Sequence, residues 1–153
     1  MKTRIYIDTS VIGGCLDKEF KDASRLLIDK FKQGEMLVII SELTKLELKD
    51  APLQVQDILK EIPEENIEYV ELTEEAVELA KKYILEGVIG ENKLVDAEHI
   101  AIATLNRVDI LVSWNFRHIV NLRKIRGYNF VNLKYNYPLF EIRSPREVIN
   151  YEE

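Results

Sequence analysis

Short apolar runs alternate with segments of helical periodicity along nearly the whole chain, and this alternation restricts the fold more than any other feature. Arg4–Ile7, Met36–Ile40, Ile67–Leu72 and Ile110–Val112 read as short buried strands. Between them, Ala23–Gln33 carries apolar residues at a helical spacing and ends at Gly34. Ser41 is placed to cap a helix running to about Lys49. Val55–Ile62 reads as a helix after Pro52, and Thr73 caps a strong helix over Glu74–Leu85. Asp96 precedes a helix over Ala97–Asn106. Phe130–Asn132 and Phe140–Ile142 are read as the last strands, and Ser144-Pro145-Arg146-Glu147 as a helix start. Strands separated by helices of this length need parallel βαβ crossovers. The expected fold is α/β, three layers α/β/α, with a central parallel sheet of four or five strands.

The 153 residues suit a single domain over 1–153. No apolar run approaches the roughly 20 residues of a membrane helix. The first residues enter a strand with no signal-peptide pattern, so a cytoplasmic protein is expected. One cysteine, Cys15, excludes an internal disulfide and disfavours a zinc cluster. The net charge of −6 does not advertise a nucleic-acid binder, but its distribution is uneven. From Asn115 to Arg146, Arg117, Arg123, Lys124, Arg126, Lys134, Arg143 and Arg146 are opposed by Glu141 alone. That segment suits either a phosphate-facing patch or a solvated basic surface.

Acidic residues stand where burial is expected. Asp8 ends the first strand, and chemistry in parallel α/β sheets collects just past the carboxyl ends of strands. Glu47 lies on or beside the apolar face of its helix, four residues after Leu43. Asp96 begins a helix whose Ile100 and Ala103 continue its face. Asn115 follows the fourth strand as Asp8 follows the first. Each also has a plainer role: an Asx-turn or cap for Asp8, solvent for Glu47, an N-cap for Asp96, a turn for Asn115. Convergence requires strands one and four to be neighbours. Together, such oxygen ligands suit Mg²⁺ or Mn²⁺, which activate water and neutralise phosphodiester charge. His99 and His118, the only histidines, offer no nucleophilic triad, and no phosphate-binding glycine loop is present. Trp114 is placed for base stacking, although an aromatic beside a strand end more often packs in the core.

These residues occur in four stretches: Ile5-Tyr6-Ile7-Asp8-Thr9-Ser10-Val11, Ser41-Glu42-Leu43-Thr44-Lys45-Leu46-Glu47, Asp96-Ala97-Glu98-His99-Ile100-Ala101-Ile102-Ala103 and Leu111-Val112-Ser113-Trp114-Asn115-Phe116. In that order and spacing the chain resembles the PIN domain, the nuclease fold of VapC-type toxins. The resemblance implies Mg²⁺- or Mn²⁺-dependent cleavage of single-stranded RNA, a homodimer and a small antitoxin. It assigns Asp8, Glu47 and Asp96 as catalytic metal-binding carboxylates, with Asp8 and Asp96 on the principal ion. Glu47 would bind the ion directly or through water, or orient the attacking water. Ser10 occupies the usual small polar position and is expected to touch substrate or a metal water, and Arg117 and His118 to bring positive charge to the phosphate. His99 is read as a packed helix residue first, and otherwise as a group that bonds within the site or binds phosphate. Asn115 stands where many relatives carry a fourth acid; its amide oxygen can coordinate the ion but brings no charge. The alternative is a PIN module that binds RNA or a protein partner without turnover. A phosphohydrolase of small substrates ranks last, because Thr9 and Ser10 follow Asp8 where a second carboxylate is usual.

Overall fold

A computed structural model of the protein describes residues 1–150. Five strands form one parallel sheet in the order β3-β2-β1-β4-β5: β1 (Arg4–Ile7), β2 (Leu37–Ser41), β3 (Ile67–Val70), β4 (Ile110–Val112) and β5 (Glu141–Arg143). Successive side chains of β1 take opposite faces, as the period of a strand requires. Ile5 and Ile7 enter one core with α1 (Thr9–Gly14), α2 (Lys21–Lys32), α4 (Leu53–Lys60) and α8 (Pro145–Ile149). Tyr6 enters the other, built by α5 (Glu74–Leu85), α6 (Leu94–Leu105) and α7 (Leu122–Lys134). The remaining helix, α3 (Glu42–Lys49), follows β2 directly, and Ser41 closes the strand and caps the helix by accepting from Thr44 N at 3.2 Å. This is the expected three-layer α/β/α fold with a five-stranded sheet.

β1, β4, α3 and α5 lie where the sequence places them, and Thr73 caps α5 through Ala76 N. The capping box at Ser144 and Glu147 also forms. Both amphipathic helices α4 and α5 turn their apolar faces to the core, through Val55 and Ile58 and through Ala76, Leu79, Ala80 and Tyr83. Helix α6 is buried on all sides from Ala97 to Thr104, which its small residues permit.

Two expectations change. Phe130–Asn132 is not a strand but part of α7, capped by Asn121, whose side chain accepts from Lys124 N. Tyr128, Val131 and Asn132 are its buried residues, at helical spacing. Tyr83 Oη donates to Asn132 Oδ1 at 2.5 Å, which anchors the helix on α5. Gly127 lets α7 approach the turn after α5, because a Cβ there would lie 2.7 Å from Val88 Cγ1. The second change is in α6, which begins before Asp96, so Asp96 sits in its first turn and Lys93 takes the cap position. No helix of the described residues is long and apolar enough to cross a membrane.

Candidate active site

The sheet order places the topological switch point between β1 and β4, and the site is built there. Ile7 pairs with Val112, so the next residues, Asp8 and Ser113, stand side by side past the strand ends. Ser113 Oγ donates to Asp8 Oδ2 at 2.6 Å. Ser10 donates twice to Asp8 Oδ1, from its amide at 3.1 Å and its hydroxyl at 2.6 Å. Asp8 thereby caps α1, one of the plainer roles considered for it. The Ser10 hydroxyl also accepts from Trp114 N at 3.0 Å, tying the two strand ends together. Asp8 is only 6% exposed. Burial pushes its carboxyl pKa up, the charge of His99 and the two serine bonds oppose the rise, and the charge of Glu47 adds to it.

Glu47 projects from α3 toward the same strand ends. Its Oε1 accepts from Thr9 Oγ1 at 2.9 Å and faces His99 Nε2 at 3.0 Å. Burial raises its pKa, but the hydrogen bond and charge of His99, with Thr9, outweigh that and hold Glu47 below the usual carboxylate range. An ionised carboxylate has no proton to give, so Nε2 is the protonated nitrogen of this contact. The ring is buried, and its Nδ1 meets the Tyr6 hydroxyl at 2.5 Å. Tyr6 in turn bonds Ser41 Oγ at 2.8 Å, and its ring meets the imidazole edge-on. A continuous chain, Ser41–Tyr6–His99–Glu47–Thr9, thus links five elements, running from the buried Ser41, Tyr6 and His99 to the exposed Glu47, whose carboxylate it fixes. Its Oε2 has no hydrogen-bond partner among the described residues.

Asp96 lies one turn before His99 on α6. Its carboxylate makes no hydrogen bond among the described residues, and its charge is felt by His118 and Tyr128. The Asn115 side chain serves its own turn: Oδ1 accepts from Arg117 N at 3.2 Å and His118 N at 2.9 Å. His118 Nδ1 is buried without a partner among the described residues. Burial holds its pKa down, against the pull of Asp96. His99 is packed in the helix core and bonds Glu47 within the site, rather than facing a substrate phosphate. Cys15 is buried, which pushes its thiol up to about 11 and removes it as a nucleophile at neutral pH.

The basic segment is largely spent within the fold. Lys134 pairs with Glu86 at 2.7 Å, Arg143 with Glu141 and Glu147, and Lys124 Nζ donates to Val88 O. Arg146 donates to Glu19 O and lies over Trp114. Arg117, Arg123 and Arg126 are exposed and make no ion pair among the described residues.

Of the four expected ligands, the fold therefore brings Asp8 and Glu47 into mutual electrostatic contact, while Asp96 faces His118 and Asn115 caps a turn. Among the described residues, no group of three or more His, Cys, Asp or Glu is arranged to hold a metal ion. A three-carboxylate cage is not assembled. The pair Asp8 and Glu47 does fit a hard, water-rich ion of the Mg²⁺ type, which is commonly held by one or two carboxylates plus phosphate oxygens. The buried Asp8 charge beside that of Glu47 is what such an ion would relieve.

Ser113, Thr9, Tyr6 and Ser41 are site residues that the sequence did not single out. Ser113 had a signal: it directly follows β4, as Asp8 follows β1, whereas Asn115 is two residues further on. A tyrosine inside an apolar strand was the other, since a buried hydroxyl needs a partner.

No protein-family model and no curated protein matches the sequence. Solved structures do match. VapBC2 from Rickettsia felis, bound to a DNA fragment from its promoter, aligns at 14% identity over 93% of this chain and 98% of that chain, with a TM-score of 0.58. FitAcB from Neisseria gonorrhoeae aligns at 15% identity over 92% and 97%, with a TM-score of 0.57. VapC20 from Mycobacterium tuberculosis, a toxin that cleaves the sarcin–ricin loop, aligns at 14% identity over 74% and 91%, with a TM-score of 0.55. At such identities the likeness establishes architecture alone: the chain has the PIN-like α/β/α fold of VapC-type proteins.

Proposed function

We propose that the protein is a PIN-type endoribonuclease that cleaves phosphodiester bonds in single-stranded RNA with Mg²⁺ or Mn²⁺, as the toxin of a type II toxin–antitoxin pair. The observation that carries this reading is the pairing, at the switch point, of a buried Asp8 with a Glu47 held ionised by His99. The fold shared with a sarcin–ricin loop-cleaving toxin supports the substrate class.

Asp8 and Glu47 would hold the ion, and Asp96, one turn before His99 on α6, is the third carboxylate that the family resemblance assigns to it. The ion supplies water activation and charge neutralisation at the phosphodiester. The chain supplies orientation. Ser10 and Ser113 fix both oxygens of Asp8, and His99 and Thr9 fix Oε1 of Glu47, leaving Oε2 to face the ion or accept a proton from water. Arg117 would bring positive charge to the phosphate from the loop after β4, whereas burial keeps the neighbouring His118 on the neutral side. The test is cleavage of single-stranded RNA with Mg²⁺ or Mn²⁺, against EDTA and Asp8→Asn. Both controls should abolish cleavage, and cleavage surviving both would overturn the reading.

A second reading, an RNA- or protein-binding module without turnover, draws on Asn115, whose amide oxygen is committed to the turn. It predicts RNA retention that weakens steeply with salt and no product. The toxin reading also includes a small antitoxin and a homodimer. The surface suited to such contacts is the outer face of α7, where Leu122, Phe130 and Leu133 are each 64% exposed. Light scattering of wild type and Phe130→Glu tests the homodimer, which should dissociate in the variant.

A further inference from the structure

Beside Asp8 lies an open groove of about 340 Å³, lined by Ser10, Gly13, Asp17, Phe20, Trp114 and Asn115. It is continuous with the candidate site, because Ser10 bonds Asp8 and Asn115 belongs to the loop after β4. Its wall is rigid. The Phe20 and Trp114 rings stack with centroids 4.1 Å apart and planes at 19°. Trp114 Nε1 donates to the buried Ser24 Oγ at 2.8 Å, and Arg146 lies over both rings. Gly14 keeps this arrangement possible, since a Cβ there would stand 2.4 Å from Ser24 Oγ and 2.7 Å from Trp114 Nε1. Gly13, one residue earlier, has nothing within 4 Å of its Cβ position, so the groove opens directly over it. At the rim, Phe116 meets Trp114 edge-on and is 47% exposed.

The lining contains the carboxylate of Asp17, and Arg146 is engaged with the two rings and Glu19 O, so an anionic phosphate is not its natural occupant. The free polar groups are a donor and an acceptor. Asn115 Oδ1 is taken by two amides, which leaves Nδ2 unbonded among the described residues. Asp17 Oδ1 is taken by Glu19 N and Phe20 N, which leaves Oδ2. An aromatic wall, an open floor, and one donor and one acceptor at the edge match a flat, neutral heterocycle with polar atoms on its rim.

We propose that this groove is a nucleobase subsite, holding the base of the nucleotide next to the scissile phosphate. Asn115 then acts as a base-reading group through Nδ2, and Phe116 offers its exposed ring for stacking. The inference rests on the ribonuclease reading for the identity of its ligand, but its test does not need turnover.

Trp114 is the only tryptophan of the chain, so its emission reports on the groove. The intact protein is titrated in EDTA with adenosine and uridine 5′-monophosphates and, as the baseless control, ribose 5-phosphate. Saturable changes with the nucleotides and none with ribose 5-phosphate are expected. Gly13→Leu, whose side chain fills the groove from an unobstructed position, should weaken the nucleotide response about tenfold or more, while Gly13→Ala keeps most of it. Matching thermal melts confirm that both variants are folded. Equal responses to ribose 5-phosphate, no response to nucleotides, or an unchanged response in Gly13→Leu would each overturn the subsite. RNA cleavage without a base-dependent response removes the subsite alone. A base-dependent response without cleavage removes the nuclease reading alone.

Discussion

Ser113 Oγ donates a 2.6 Å hydrogen bond to Asp8 Oδ2 across the seam between β1 and β4. With Ser10 on the other oxygen, the central carboxylate is oriented before any ligand arrives. This contact joins residues 105 positions apart and exists only because β1 and β4 are paired. Ser113→Ala removes a hydrogen bond to a charged group, and a loss of about 1.5–3 kcal/mol in urea denaturation at neutral pH is expected.

Asp8 is costly to the fold in its ionised form. Its folded pKa lies above its unfolded value, so its favourable contribution is complete below the unfolded pKa and is lost as pH rises through the folded one. At pH 7, Asp8→Asn should therefore raise the melting temperature of the metal-free protein while abolishing cleavage. Each kcal/mol gained corresponds to roughly 2–4 °C for a chain of this size. The gain should shrink in acid, and a variant that melts lower at pH 7 would contradict the assigned burial cost.

Glu47 has the opposite sign. Its folded pKa is depressed, so its stabilising effect is present above the unfolded pKa and is lost as pH falls through the folded one. His99→Phe removes the bonds to both Glu47 and Tyr6, and the Glu47 carboxyl should titrate at higher pH by NMR in EDTA. Leaving the buried Tyr6 hydroxyl with one partner fewer adds a cost of about 1–3 kcal/mol. His99→Gln, which keeps an N–H for Glu47, should lose less on both measures.

Gly127 is required by its neighbour rather than by its backbone. Gly127→Ala drives a methyl group toward Val88 Cγ1 and should destabilise by about 1–3 kcal/mol. In a Val88→Ala background the clash is gone, and the same substitution should stabilise by up to about 1 kcal/mol through helix propensity.

Arg117 and Arg143 separate free from committed positive charge. Arg117 has no ion pair among the described residues, whereas Arg143 lies between Glu141 and Glu147. For single-stranded RNA binding, Arg117→Gln should reduce the slope of log affinity against log salt by about 0.7, and Arg143→Gln should leave it nearly unchanged.

The strands and the crossover helices were legible because each buries a continuous apolar run or face. Helix α7 was not. It carries Tyr128 and Val131 inward but Leu122, Phe130 and Leu133 outward, and apolar residues on both faces erase the helical period. Asp8 and Glu47 were legible as charges in apolar settings. Their partners were not, because Ser113 depends on the register of two distant strands and His99 meets Tyr6 across 93 residues. Asn115 looked equivalent to Asp8 only while the register of β1 against β4 was unknown. With Val112 opposite Ile7, the equivalent residue is Ser113.

The central claim is that Asp8 and Glu47 together form the ion-binding centre of a ribonuclease. The most direct measurement is anomalous diffraction from crystals soaked in Mn²⁺. A peak within coordination distance of Asp8 and Glu47 oxygens, about 2.0–2.3 Å, and its loss in Asp8→Asn crystals, is the predicted result. Crystals that bind Mn²⁺ only away from these two carboxylates, or that show the same peak in Asp8→Asn, would contradict it.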